Sequence, residues 1–227
     1  MSTPVKGDGR SQRWQAHRTA RRAEFVEAAV RAVEAVGPDA SIADIAREAG
    51  VSKPVLYRYF ADKAELHAEV GRWGAELVLD RVVSAVLAPA TARARIDAGV
   101  AAYLDTIAEH PQTFLLLSTQ HAGSADPLAD GKQRAATKLA RIIGSGLRQL
   151  GVDSAGAEPW AFGMVGMAVS VGQWWLDRRT MSRAAVADYL SGFIWHALSG
   201  AADEYGVPLS ALDPPDNVRP LDPGRQA

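Results

Sequence analysis

The stretch Ser41–Leu66, SIADIAREAGVSKPVLYRYFADKAEL, decides the fold of this chain. It reads as two short helices joined by a tight turn, followed by the start of a third. Ile42, Ile45 and Ala46 recur at helical spacing. Ser41 is placed to cap the first helix, with Asp44 three residues on as its acidic capping partner. Gly50 supplies the positive φ that a sharp turn requires. Ser52 is placed to cap the second helix, and Pro54 falls in its first turn, where a missing N–H does least harm. Val55, Leu56, Tyr59 and Phe60 can hold this helix against its neighbours, which leaves Lys53, Pro54, Tyr57 and Arg58 toward the surface. A short helix with a few cationic and aromatic residues suits the major groove of DNA.

The segment resembles the DNA-binding domain of the TetR family of one-component transcriptional regulators. The matching residues are Ile45-Ala46, Ala49-Gly50-Val51-Ser52, Tyr57, Tyr59-Phe60, Lys63 and Leu66, in register without a gap. By motif the resemblance covers roughly the first third of the chain; beyond it only length and the all-helical pattern agree. It implies that Lys63 reaches the DNA backbone, that a second helical domain binds a ligand inside helices four to eight, and that two copies pair through a four-helix interface. Repression is the mode it implies.

Composition narrows the remaining classes. A chain of 227 residues with 48% hydrophobic residues can build a substantial core in one domain or two. The absence of cysteine excludes disulfides and thiolate metal sites and fits a cytoplasmic protein. The polar, basic N-terminus shows no secretory signal, and no apolar run reaches the ~18 residues of a membrane span, so no membrane partner is expected. The net charge of −1 carries no hint of nucleic acid, but its distribution does. Residues 1–22 hold six cationic side chains against Asp8 alone, whereas 202–227 hold five acidic side chains against Arg219 and Arg225. One end is suited to phosphates, the other to water.

Prolines and glycines punctuate a series of helical patterns with almost no strand signal. The expected fold is all-α: a three-helix helix-turn-helix domain followed by a C-terminal helical bundle, about nine helices in all. Residues 1–17 read as a basic arm, flexible or extending the first helix, and 18–65 as the DNA-binding domain. Residues 66–205 read as the ligand-binding and dimerisation domain, and the proline-rich 206–227 as a disordered tail.

Lys53, at the N-terminal end of the recognition helix, can donate to guanine O6/N7 or to a phosphate. Pro54 can touch a thymine methyl, Tyr57 and Tyr59 offer hydroxyls to phosphates, and Ser41, Ser52 and Arg58 complete the candidate surface. Few contacts per copy favour a dimer on a near-palindromic double-stranded operator. In the arm, Arg10, Arg13, His17 and Arg21 form one basic stripe if the first helix extends backwards. Removing residues 1–17 is then expected to lower affinity and flatten its salt dependence.

Helix eight, Trp160–Leu176, is apolar nearly all round and interrupted by Gly163, Gly166 and Gly172. Such a helix is buried on more than one side. Met164, Met167, Val171 and Trp175, with Tyr189, Phe193 and Ala197 of helix nine, are the candidate homodimer interface. Candidate ligand-binding residues are Trp73, Tyr103, Ile107, Phe114, Leu117 and Trp174, with His121 and Gln173 as polar groups. Walls of this kind suit a hydrophobic small-molecule effector.

The five histidines form no metal-ligand pair, and no phosphate-binding glycine loop or nucleophile elbow is present. No cofactor, metal or catalytic residue is expected. The alternative is a helical adaptor that binds protein or lipid without specific DNA recognition. Salt-dependent, sequence-selective binding to DNA separates the two.

Overall fold

The computed structural model describes residues 8–118 and 128–214, with 8–12 described by backbone alone. Among these residues the fold is all α, with nine α-helices, one 3₁₀ helix and no strand. The α-helices are α1 (Asp8–Val36), α2 (Ile42–Glu48), α3 (Lys53–Leu56), α4 (Lys63–Leu87), α5 (Ala92–Glu109), α6 (Pro111–Ser118), α7 (Ala129–Gln149), α8 (Ala157–Arg178) and α9 (Arg183–Glu204). The 3₁₀ helix spans Leu209–Leu212.

Local chemistry sets the helix limits. α1 stops where Gly37 takes φ 107° and Pro38 follows. A reciprocal capping box opens α2: the Asp44 N–H donates to Ser41 Oγ at 3.3 Å, and the Ser41 N–H donates to Asp44 Oδ2 at 2.9 Å. Gly50, at φ 65°, turns the chain so that the Val51 N–H returns to the Ala46 carbonyl at 2.9 Å. Ser52 holds the N-cap position of α3, but its side chain makes no cap bond. The reason lies in the next two residues but one: Pro54 has no N–H to offer, and the Val55 N–H already meets the Ser52 carbonyl at 2.9 Å. For α4, the Glu65 N–H donates to Asp62 Oδ1 at 2.7 Å and Glu65 Oε2 accepts from the Ala61 N–H at 2.6 Å.

The chain divides into two compact units. The first comprises Met1–Glu76 and Glu109–Gly131, so it contains α1–α3, the first half of α4, and α6. Its core is Phe25, Ala29, Ile45, Leu56, Phe60, Leu66 and Val70, joined by Leu117 and Leu128 from much later in the chain. Each large apolar side chain buried there contributes about 1.5–3 kcal/mol. α6 is tied in twice: Glu34 of α1 accepts the Gln112 and Thr113 N–H groups at 3.3 and 2.8 Å, and Leu116 packs with Val33 and Ala40. Residues 66–76 and α6, placed by sequence in the second domain, therefore fall within the first unit.

The second unit comprises Leu77–Ala108 and Lys132–Ala227. Tyr103 of α5 donates to the Ala168 carbonyl of α8 at 2.8 Å, and burial pushes its phenol pKa up. The approach is possible because α8 carries a glycine one turn on. A Cβ at Gly172 would collide with the Tyr103 hydroxyl and lie 2.9 Å from Ile107 Cδ1. Ser182 caps α9 by accepting from the Ala185 N–H at 3.2 Å.

Of the two alternatives for the arm, the backbone from Asp8 onward takes the second: α1 starts at Asp8 and extends the first helix backwards. One extent differs from the sequence reading. Residues 206–214 are not a disordered tail. Val207 packs against the cluster of Leu147, Val152 and Ala157, and Asp213 Oδ1 accepts the Ala92 N–H at 2.6 Å, capping α5. The many prolines hide this, because the contacts that order the segment lie far away in sequence. Residues 215–227 lie outside the described part.

Candidate nucleic-acid interface

α2, the Gly50 turn and α3 form a helix-turn-helix whose inner face is Ile45, Ala46, Leu56 and Phe60, each under 5% exposed. Burying these four fixes what faces outward. Ser52, Lys53, Pro54 and Arg58 are exposed, and Tyr57 is half-exposed at 50%. Lys63, at the start of α4, is partly buried. The recognition element is a single turn of α-helix, Lys53–Leu56, continued by turn residues to Tyr59.

Ser41 and Tyr59 have internal duties. The Ser41 hydroxyl donates to Asp44 Oδ2 at 2.6 Å. That bond, with the Ser41 N–H and the nearby Arg47, holds the Asp44 carboxyl below its ordinary value. The Tyr59 ring meets Phe25 edge-on, centroids 5.0 Å apart, and belongs to the core periphery.

Arg22 is the residue that sequence reasoning misplaced. Counted among the six cations of residues 1–22, it is turned inward. Its guanidinium donates to the Tyr59 carbonyl, to Glu65 Oε1 at 2.8 Å and to Glu69 Oε1 at 2.7 Å, and lies 4.5 Å from the Phe60 ring centroid. Partial desolvation opposes its charge, but the two carboxylates outweigh this and raise its pKa. Glu65 in turn is held low by the Ala61 N–H and by Arg22. The i, i+4 pair Glu65/Glu69 on α4 was the available signal. Arg21 is also occupied, paired with Glu24 and lying over Phe25 at 4.9 Å. Arg13, Trp14, His17 and Arg18 are exposed; the Arg10 side chain lies outside the description.

Comparison with known proteins fits this geometry. The family description "Bacterial regulatory proteins, tetR family" matches residues 25–70, and "Tetracyclin repressor-like, C-terminal domain" matches residues 81–210. The chain belongs to the TetR family. It is a helix-turn-helix transcriptional regulator. An uncharacterized HTH-type transcriptional regulator of Mycobacterium tuberculosis is 32% identical over 204 residues, covering 89% of this chain and 87% of the relative. The transcriptional activator FasR of Mycolicibacterium smegmatis is 29% identical over 172 residues, covering 74% and 76%. A TetR-family regulator from Streptomyces coelicolor has the same fold, with a TM-score of 0.66, 24% identity and coverage of 82% and 83%. FadR of Bacillus subtilis, solved with stearoyl-CoA, has a TM-score of 0.60, 16% identity and coverage of 76% and 96%.

The remaining candidate residues of this TetR-family chain separate by unit. Trp73, Phe114 and Leu117 lie in the first, where Trp73 meets His110 edge-on at 5.0 Å; Tyr103, Ile107, Gln173 and Trp174 lie in the second. His121 is outside the described residues. Of the residues expected at a dimer interface, Tyr189 and Phe193 are 70% and 65% exposed, and Ala197 is exposed beside them. Met164, Met167 and Val171 are partly buried. Trp175 departs from the expectation: it is 4% exposed, and its Nε1–H donates to the Met181 carbonyl at 3.1 Å. It is a core residue of its own chain. The outward face of α8 is instead Phe162, Gly166, Ser170 and Trp174, four residues apart in each case.

Among the described residues no helix is long and apolar enough to cross a membrane, and no group of three or more acidic or histidine side chains could hold a metal ion.

Proposed function

We propose that the chain acts as a homodimeric, ligand-released repressor bound to a near-palindromic operator. The observation that carries the DNA part is the exposure of Lys53, Pro54, Tyr57 and Arg58 on an element whose other face is locked by Leu56 and Phe60. Lys53 and Pro54 read base edges; Ser52, Tyr57, Arg58 and Lys63 hold phosphates. Pairing is supported by the apolar outward stripes of α8 and α9, where nothing lies within 4 Å of a Cβ built at Gly163, Gly166, Gly192 or Gly200. Such positions allow close approach by a second copy.

The proposed effector is a hydrophobic small molecule, a class that the apolar and aromatic side chains of Tyr103 and Ile107 in the second unit suit. A long-chain acyl-CoA is the first compound to try, because a neighbour in fold carries one. α4 runs from the first unit into the second, so an effector that shifts α4 acts on the residues that hold the recognition element. It does so only to the extent that it prefers the released conformation. The test is binding to a duplex from upstream of the chain's own gene, with and without acyl-CoA, beside a reporter under that sequence. No preference over mixed-sequence DNA would sink the regulator reading; reporter activation without effector would reverse its sign.

A further inference from the structure

The N-terminal part of α1 stands out for its exposure. From Arg13 to Ala20 every residue of α1 is exposed, including Trp14 at 64%, whereas Arg22 and the residues from Phe25 onward engage the core. A helix exposed on all sides gains nothing from a core and is marginal by itself. An exposed tryptophan is also out of place in a segment of this polarity. The Arg18 guanidinium lies 5.7 Å from its ring centroid, so the aromatic and the cation form one composite surface. Arg13, Trp14, His17 and Arg18 stand at i, i+1, i+4 and i+5 and share one face of about 140°.

The root of the arm fixes the partner. α1 leaves the core at Arg22, whose guanidinium grips the carbonyl of Tyr59 at the end of the recognition segment. The arm therefore springs from the residue adjoining the DNA-contacting turn, and its Asp8–Arg21 length is about 20 Å at helical rise. The cationic excess selects a polyanion, and continuity with that surface selects DNA among polyanions.

We propose that the helical arm is a second DNA-contacting element. Arg13 and Arg18 bind phosphates flanking the bases read by α3, with Trp14 lying against the sugar edge between them. Base identity is left to α3, and affinity, in its salt-dependent part, comes from the arm. This rests on the regulator reading for its setting, but its contacts carry no sequence information, so it can be tested apart from it.

The experiment measures Kd against salt for the full chain on both the upstream duplex and a mixed-sequence duplex. The variants are R13Q/R18Q, R13K/R18K and W14A, each checked for unchanged helicity by circular dichroism. The expected result for R13Q/R18Q is a slope of log K on log salt shallower by about 3–4 for a dimer, on both duplexes alike. The lysine variant should keep the slope, and W14A should weaken binding several-fold without changing it. An unchanged slope for R13Q/R18Q overturns the proposal, as does equal loss in the lysine variant. So does retention of the arm on phosphatidylserine vesicles with DNA binding unaffected. Loss of preference for the upstream duplex would instead indict the regulator reading, while the mixed-sequence slope still decides the role of the arm.

Discussion

The guanidinium of Arg22 and the backbone carbonyl of Tyr59, 37 residues apart, are joined by a direct hydrogen bond. The same guanidinium is held by Glu65 and Glu69, one turn apart on α4. One side chain thus links α1, the end of the recognition segment and α4. Replacing Arg22 by Gln should destabilise the chain by about 1–3 kcal/mol, since two partly buried carboxylates and a carbonyl lose their partner. Operator affinity should fall by more than a change of one phosphate contact would produce, because the recognition segment is no longer held. Urea unfolding and operator titration of the same preparation measure the two effects.

The network also sets an acid limit. The folded-state value of the Glu65 carboxyl is depressed, so its contribution is fully present above its unfolded value near 4.5 and is lost as pH falls through the lower folded value. The stability difference between the native chain and E65Q should therefore be constant at neutral pH and shrink below about pH 4.5. Thermal melts across that window would show it; a difference that grew in acid would contradict the assignment.

Gly172 and Tyr103 form a size-matched pair. G172A should cost about 1–3 kcal/mol by overpacking against the Tyr103 hydroxyl. Y103F removes that hydroxyl and should recover part of the loss in the double variant, with Ile107 accounting for the rest. A double-mutant cycle returning no coupling would mean that the helices separate freely at this point.

Tyr189 and Phe193 present one exposed apolar stripe on α9. Substituting both with Glu should yield a monomer in sedimentation without loss of helicity, and operator binding should weaken by orders of magnitude. A variant that stays dimeric would move the interface elsewhere.

Lys53→Ala separates base reading from phosphate holding. Base reading predicts a loss of about 1–3 kcal/mol confined to one operator position, with other positions unaffected. A uniform loss across sequences, with a shallower salt slope, would place Lys53 on the backbone.

The features legible in the sequence were local ones. The Ser41/Asp44 box and the left-handed Gly50 each depend on residues within three or four positions, and the structure has both. What stayed hidden was the pairing of distant polar groups: Arg22 with Tyr59, Glu34 with the start of α6, Asp213 with Ala92. No periodicity marks such pairs. Helix α8 was ambiguous for another reason. A helix apolar all round does not say which side faces its own core, so of two adjacent tryptophans Trp175 was assigned outward and is buried, whereas Trp174 is 40% exposed. The Ser52 side chain failed as a cap because the helix it precedes is one turn long and has a proline where the cap bond would form.

Leu117 and Leu128 complete the core around Phe25 and Leu66. The ribosome has therefore translated well past the recognition turn before the DNA-binding unit can close. Until then, the nascent chain exposes an unfinished apolar surface beside its own coding message, and the pace of elongation through α5 and α6 becomes part of how this regulator reaches its working form.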